Sequence, residues 1–339
     1  DHRDLHSFPT RRSSDLLLHL LLILTLALPA PLRADSYDPL ALPGMQAVTW
    51  QELTIADAKR QREIPVRLYL PTTVAPAPVL LFSHGLGGSR ENAVYLGEHW
   101  AARGYLCVFL QHPGSDENIW KGKSRLQQFR ALKRAADLDN LLLRVGDVSA
   151  VLDQLARWNR TKGHPLAGRF DLTRVGMAGH SFGAVTTQAI SGERFGGSGT
   201  VTGDPRIKAA LIMSPSSPRK GAPRTAFGQV AIPWLLMTGT RDDVPLLGID
   251  LAARLTVFPA LPAGGKYELV LDGAQHAAFG DGPLRKPGET RNPNHHRAIL
   301  AISTAFWDAW LSKRAEARAW LDGNGPRTVL EEQDRWQKK

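Results

Sequence analysis

Short apolar runs alternate along the chain with stretches in which apolar residues recur every three or four positions. Residues 48–55 and 64–70 are apolar at alternating or clustered positions, which predicts two strands that form a hairpin. Continuous apolar runs predict strands buried on both faces of a sheet, at 79–83, 105–110, 171–178, 207–213, 232–237 and 267–271. Helical spacing predicts helices at 89–103, 141–158, 246–258, 295–311 and 315–321.

This alternation of strands and helices predicts one α/β domain over residues 35–322. We expect a doubly wound, mostly parallel sheet with helices on both faces and active groups at the carboxyl ends of its strands. Residues 115–140 have little strand character and are predicted to form a small cap beside the site. The polar residues 323–339 are predicted to form a frayed tail.

The first 34 residues differ in composition from the predicted domain. Residues 1–15 do not begin with Met and resemble translated sequencing-adapter read-through, so we interpret them as non-native. Residues 16–34 combine an apolar run with a Pro-rich end and a small residue at Ala34, which is typical of a signal peptide cleaved near that position. The run is short for a membrane span. We therefore expect a secreted or periplasmic protein with no stable membrane span.

Composition and charge narrow the classes of protein to be considered. The 339 residues are 43% hydrophobic and 22% charged, which suits one large globular domain. The net charge is +10, but the basic residues are scattered and lack interleaved aromatic residues, so no nucleic-acid partner is predicted. Cys107 is the single cysteine, which excludes an internal disulfide. No Cys/His pattern has zinc spacing, and we predict neither a metal nor a cofactor.

Three polar groups follow predicted strands in the order Ser, Asp, His. Ser181 is the centre of Gly179-His180-Ser181-Phe182-Gly183, a G-x-S-x-G motif between a predicted strand and a predicted helix. A serine hydroxyl needs a base to become a nucleophile, and His276 is the candidate base. Asp242 is the candidate acid that orients this histidine, and the adjacent Asp243 is the alternative. The competing histidines are His84, His112 and His180.

An acyl-transfer site also needs two backbone N–H groups that face the developing negative charge. Phe182 follows the nucleophile at the predicted helix N-terminus and is the first candidate donor. The second candidate is Leu86, in the glycine-rich loop 84–88 that follows the strand 79–83. The two groups define a predicted oxyanion hole.

These motifs resemble those of the α/β-hydrolase superfamily over roughly residues 48–312. Residues 82–89, 110–116, 176–183 and 238–243 are similar to those of bacterial secreted proteins described as dienelactone hydrolases or as platelet-activating-factor acetylhydrolase-like. Two positions depart from these groups. True dienelactone hydrolases use a cysteine where Ser181 stands, and the plasma acetylhydrolases carry their acid where this chain has Ser214 and Pro215.

The motifs and the resemblance together predict a secreted serine esterase that cleaves small-molecule or lipid-like carboxylic esters through an acyl-enzyme. A polyester (cutinase-like) hydrolase, a thioesterase or a peptidase could use the same three residues. Leu86 and the single cysteine disfavour close membership of the cutinase-like group. A non-catalytic binding protein on a hydrolase fold is the alternative from a different class.

Overall fold

A computed structural model describes residues 37–42, 44, 48–195, 200–218, 220–282 and 291–339. The predicted non-native segment 1–15 and the predicted signal peptide 16–34 lie outside the described residues. Residues 38–339 form one compact unit. The described strands are β1 Thr49–Asp57, β2 Arg62–Leu70, β3 Ala77–Ser83, β4 Leu106–Leu110, β5 Phe170–His180, β6 Arg194–Phe195, β7 Thr200–Val201, β8 Ile207–Met213, β9 Trp234–Arg241, β10 Lys266–Gln275 and β11 Arg335–Lys338.

The helices connect these strands and vary in length from one turn to about six turns. The described helices are α1 Val94–Ala102, α2 Arg125–Ala135, α3 Leu138–Arg160, α4 Phe182–Ile190, α5 Pro223–Phe227, α6 Leu251–Arg254, α7 Val257–Ala260, α8 Pro293–Trp310 and α9 Ala315–Asp322. In the described part of the chain, no helix is long and apolar enough to cross a membrane.

The main sheet of the described residues is mixed and mostly parallel, which confirms the predicted α/β class. Its nine strands are ordered β1-β2-β4-β3-β5-β8-β9-β10-β11. Pairing is parallel from β4 through β10 and antiparallel at both ends of the sheet. The chain passes from β3 to β4 on one side and then returns to β5 on the other side of β3. Such a reversal opens a crevice at the carboxyl ends of β3 and β5.

Apolar side chains on both sheet faces pack against helices. On β3, Val79 and Leu81 belong to a buried cluster that also contains α3 residues such as Val148 and Leu152. The opposite face packs against α1 and α8. There Tyr69 lies against Gly97 of α1, and Trp307 of α8 lies against Gly176 of β5. Burial on both faces is the reason that the central strands are continuously apolar in sequence.

The predicted helix boundaries agree with the structure for long helices and differ for short ones. The prediction placed a helix at 89–103, but α1 begins at Val94, after Ala93 with a φ of 59°. A backbone in the left-handed region interrupts a right-handed helix. The predicted helix 246–258 is divided into two single turns, α6 and α7. Residues 115–140, predicted as a cap without assigned helices, contain α2.

The structure differs from the prediction of a frayed tail at residues 323–339. Instead, β11 pairs antiparallel with β10 and forms the last strand of the sheet. The ring of Trp336 stacks on that of Tyr267, with centroids 5.6 Å apart. Gln337 Nε2 donates a hydrogen bond to Glu268 Oε2 at 2.5 Å. The segment is polar in composition because an edge strand has much of its surface in solvent, while its backbone satisfies the donors and acceptors of β10.

Candidate active site

Ser181 lies between the last residue of β5 and the first residue of α4. Its φ and ψ are 58° and −117°, a region that residues other than glycine rarely adopt. Such a conformation costs about 1–3 kcal/mol and persists only where the surroundings enforce it. Its backbone N–H bonds Met213 O of the neighbouring strand β8, which helps to hold the turn. The turn places the side chain above the carboxyl end of the sheet.

The two glycines of the motif are required by close backbone contacts. A Cβ atom at Gly179 would lie 2.2 Å from the carbonyl oxygen of Gly183. A Cβ atom at Gly183 would lie 1.9 Å from the carbonyl oxygen of Ser83, at the end of β3. No side chain fits at either distance, so both positions need glycine for α4 to pack this closely against β3 and β5.

The structure brings together the three residues that the sequence predicted as a triad. His276 starts a 3₁₀ turn, His276–Phe279, directly after β10. Its Nε2 atom is 2.8 Å from Ser181 Oγ, and its Nδ1 atom is 2.6 Å from Asp242 Oδ1. Asp242 is fully buried just after β9, and the His276 side chain is about one-quarter exposed. None of the described hydrogen bonds joins Asp243 to His276.

The contacts of Asp242 determine which ring nitrogen of His276 carries the proton. A carboxylate accepts hydrogen bonds, so Nδ1–H donates to Oδ1 and Nε2 can accept the Ser181 hydroxyl proton. The other carboxylate oxygen accepts a bond from Thr238 Oγ1 at 2.9 Å. Burial acts to raise the pKa of Asp242, but the hydrogen bond and charge of His276 and the charge of Arg254 outweigh burial and lower it. The carboxylate therefore stays ionised at neutral pH.

Arg254 of α6 is a buried residue of this site that the sequence analysis missed. Its Nη2 atom is 3.0 Å from Asp242 Oδ1, and its Nε donates to the Asp242 carbonyl oxygen at 2.7 Å. Its Nη1 also donates to the carbonyl oxygens of Ser214 and Pro215. One guanidinium thus joins the loops after β8 and β9. The sequence contained no signal for this role, because Arg254 lies in a one-turn helix and follows neither a predicted strand nor a recognised motif.

The two candidate oxyanion donors lie in segments that meet beside Ser181. Phe182 is the first residue of α4, and Leu86 follows Gly85 in the loop after β3. A Cβ atom at Gly85 would lie 3.2 Å from Ser181 Cβ, so this loop packs against the nucleophile. Among the described residues, neither the Leu86 nor the Phe182 backbone N–H donates a hydrogen bond to another protein group. Both donors are available to a ligand.

Of the three competing histidines, His84 and His112 are buried and His180 is partly exposed, and no described hydrogen bond joins any of them to the Ser181 hydroxyl. Burial is the larger cause and the charge of His276 the next in lowering the pKa of His180 to about 3. The rings of His180 and His276 lie 4.6 Å apart. Burial lowers the pKa of His112 to about 4 and that of His84 well below its usual range. All three are neutral at pH 7. They shape the site, and His276 is the histidine placed to accept a proton from Ser181.

The segment 115–140, predicted as a cap, contacts the glycine-rich loop 84–88 that carries Leu86. Trp120 Nε1 donates to the carbonyl oxygen of Gly87 at 2.7 Å. A Cβ atom at Gly87 would lie 2.7 Å from Leu132 Cδ2 of α2. Residues from both halves of 115–140 therefore pack beside Leu86, and α2 forms part of the rim of the site.

In the ranges that the structure describes, no group of three or more His, Cys, Asp or Glu side chains could hold a metal ion. The chain matches no protein-family model and no curated protein.

Proposed function

We propose that the protein is a secreted serine hydrolase of the α/β-hydrolase superfamily that cleaves carboxylic esters. One observation carries the proposal: Ser181 Oγ, the His276 ring and the Asp242 carboxylate form an unbroken hydrogen-bonded chain with contacts of 2.8 and 2.6 Å. The motif spacing, the order Ser, Asp, His and the strained turn at Ser181 support the same assignment. Export rests on the predicted signal peptide at 16–34.

The geometry supports a two-step acyl transfer. Ser181 Oγ attacks the ester carbonyl while His276 Nε2 takes its proton, and Asp242 stabilises the imidazolium that forms. The oxygen of the tetrahedral intermediate is placed between the N–H groups of Leu86 and Phe182. His276 then protonates the leaving alcohol. A water molecule, deprotonated by His276, releases the acid from Ser181 in the second step.

The first test is hydrolysis of p-nitrophenyl esters from acetate to palmitate by wild-type protein and by Ser181→Ala. We expect turnover of at least one ester and a fall in kcat of about 10⁴-fold or more in the variant. A fluorophosphonate probe should label Ser181, located by peptide mapping. The control Ser149→Ala, on α3, should retain wild-type labelling and turnover.

A matched thioester and an aminoacyl anilide separate esterase, thioesterase and peptidase activity on the same protein. Faster turnover of the thioester or anilide than of every ester would overturn the ester assignment while keeping the nucleophile. Folded wild-type protein that neither cleaves any of these substrates nor reacts with the probe would overturn the proposal. A binding role for the same fold would then be the explanation to pursue.

A further inference from the structure

A second cluster of buried polar residues lies directly beneath the two candidate oxyanion donors. Its centre is Arg144 of α3, whose side chain is fully buried. Burial lowers the pKa of Arg144 to about 9, so its guanidinium remains charged at neutral pH. None of its described hydrogen bonds is to a carboxylate. The charges of Asp147 and Asp116 act against the effect of burial, so the guanidinium is compensated through space while its hydrogen bonds go to neutral groups.

Arg144 contacts the segments of both oxyanion donors. On the side of Leu86, Nη2 donates to Ser83 Oγ at 3.0 Å and to the carbonyl oxygen of His84. On the side of Phe182, the guanidinium lies 4.7 Å from the centre of the Phe182 ring, and Nε donates to Thr186 Oγ1 at 2.9 Å. The planar group therefore spans the gap between the loop after β3 and the first turn of α4.

The remaining donor of Arg144 supports the same loop from a third direction. Its Nη1 atom donates to Ser115 Oγ at 3.0 Å. The carbonyl oxygen of Ser115 in turn accepts a bond from the Gly87 backbone N–H at 2.9 Å. Leu86 is thus flanked on both sides by residues that Arg144 holds, directly at His84 and through Ser115 at Gly87.

The orientation of the Ser83 hydroxyl is set by a further buried chain. His112 Nδ1–H donates to Asp147 Oδ2 at 3.0 Å, and its Nε2 is 2.9 Å from Ser83 Oγ. Asp147 is held by Arg60 and Arg62. Since His112 is neutral and its Nδ1 carries the proton, Ser83 O–H donates to Nε2 and its oxygen accepts from Arg144.

This chain has the composition of a catalytic triad but cannot act as one. Ser83, His112 and Asp147 are all fully buried. The Ser83 oxygen accepts a hydrogen bond from the Arg144 guanidinium. Because the hydroxyl is buried and holds this bond, a substrate carbonyl cannot reach it. The chain instead gives Arg144 a fixed, correctly oriented acceptor, so that the guanidinium has one position.

We propose that Arg144 is a positioning residue that holds the Leu86 and Phe182 backbone donors at the separation that binds the oxyanion. The inference rests on the proposed function, because it assigns a task within that catalytic site. Lysine would keep the charge at this position, but its single ammonium group cannot contact the His84 carbonyl, the Thr186 hydroxyl and the Phe182 ring together.

The test compares kcat and KM of wild type, Arg144→Lys and Arg144→Met on the best p-nitrophenyl ester. Displaced oxyanion donors weaken binding of the transition state and leave ester binding unchanged. We expect kcat to fall about 10- to 100-fold, with KM within about threefold of wild type. Affinity for an alkyl boronic acid, which forms a tetrahedral adduct with the serine, should fall by the same factor as kcat/KM.

Arg103→Met is the matched control for loss of a buried arginine. Arg103 pairs with Asp308 at 2.6 Å, and both side chains are largely buried. Its loss should lower the melting temperature without the fall in kcat. A folded Arg144→Lys protein with kcat within threefold of wild type would overturn the inference, as would an equal fall in kcat for Arg103→Met.

If the Arg144 variants do not fold, a milder variant tests the same contact. Thr186→Val removes one acceptor of the guanidinium and preserves the shape of the side chain, and we expect kcat to fall about 3- to 10-fold. Wild-type kcat in Thr186→Val would then overturn the inference. Inactive wild-type protein would overturn the proposed function itself, whereas active wild type with unaffected variants overturns only the role of Arg144.

Discussion

Two adjacent aspartates illustrate how burial distinguishes residues of identical chemistry. Asp242 and Asp243 both follow β9, and either could serve as the acid by sequence. Asp242 is fully buried, and its backbone N–H bonds the carbonyl oxygen of Gly239 in a tight turn. That turn directs its carboxylate at His276 and Arg254, while Asp243 lies partly in solvent.

We expect Asp242→Asn to lower kcat about 10⁴-fold, because an amide group can donate to Nδ1 and stabilise the wrong ring tautomer of His276. Asp243→Asn is the matched control and should keep kcat within about threefold of wild type. Steady-state hydrolysis of the best ester measures both variants. The larger loss in Asp243→Asn would show that the acid is assigned to the wrong residue.

At the level of single elements, the helix α4 follows the candidate nucleophile Ser181, and a buried glutamate, Glu193, lies three residues beyond its end. Glu193 follows the last turn of the helix, and its backbone N–H bonds the carbonyl oxygen of Gln188. Its side chain is buried, and within the described residues its Oε2 atom has no hydrogen-bond partner. Burial raises the pKa of Glu193 to about 8, although a hydrogen bond to Gln188 acts in the opposite direction.

This raised pKa predicts that the folded protein loses stability as the pH rises. Between its usual pKa of 4.5 and about 8, Glu193 loses its proton in the unfolded chain and keeps it in the folded protein. The unfolded chain then binds fewer protons, so the free energy of unfolding falls with pH across this range. Glu193→Gln cannot ionise and should avoid the loss.

We therefore expect Glu193→Gln to raise the melting temperature, with a gain that is small at pH 5 and largest above pH 8. Thermal unfolding at both pH values measures the difference. The same substitution at the exposed Glu63 is the control and should change the melting temperature little at either pH. An equal gain for Glu193→Gln at pH 5 and pH 8.5 would contradict a proton-linked effect.

For the molecule as a whole, the sheet connects the chain terminus to the candidate site. Besides its strand pairing, the C-terminal segment contributes Asp334, whose Oδ1 accepts the Asp272 backbone N–H at 2.7 Å. Asp272 lies in β10, four residues before His276. The last strand therefore covers the edge of β10 and holds the segment that leads to His276.

Deletion of residues 334–339 should lower the melting temperature and promote aggregation, because it exposes the unpaired edge of β10. Trp336→Ala tests the same contact more gently and should lower the free energy of unfolding by about 1–3 kcal/mol through lost stacking and burial. Urea unfolding measures it. Arg335→Ala, at an exposed neighbouring position, is the control; equal losses for the two would contradict a specific role for Trp336.

The sequence by itself determined the central strands and the positions of Ser181 and His276. Strands buried on both faces must be continuously apolar, and the backbone contacts of the turn leave room only for glycine at 179 and 183. Both are local or periodic requirements that a single sequence displays. The same reasoning predicted Leu86, in the loop after β3, and Phe182, at the start of α4, as the candidate oxyanion donors.

Only the tertiary structure decided which polar groups meet across the sheet. Neither Arg144 on α3 nor Arg254 on α6 follows a strand or belongs to a motif, yet each guanidinium is buried where several segments converge. The prediction of a frayed tail at 323–339 is wrong for a related reason. The pairing of an edge strand depends on a partner more than 60 residues away in sequence. Hydrogen bonds between distant segments have no periodicity along the chain, so they become visible only when folding brings those segments together.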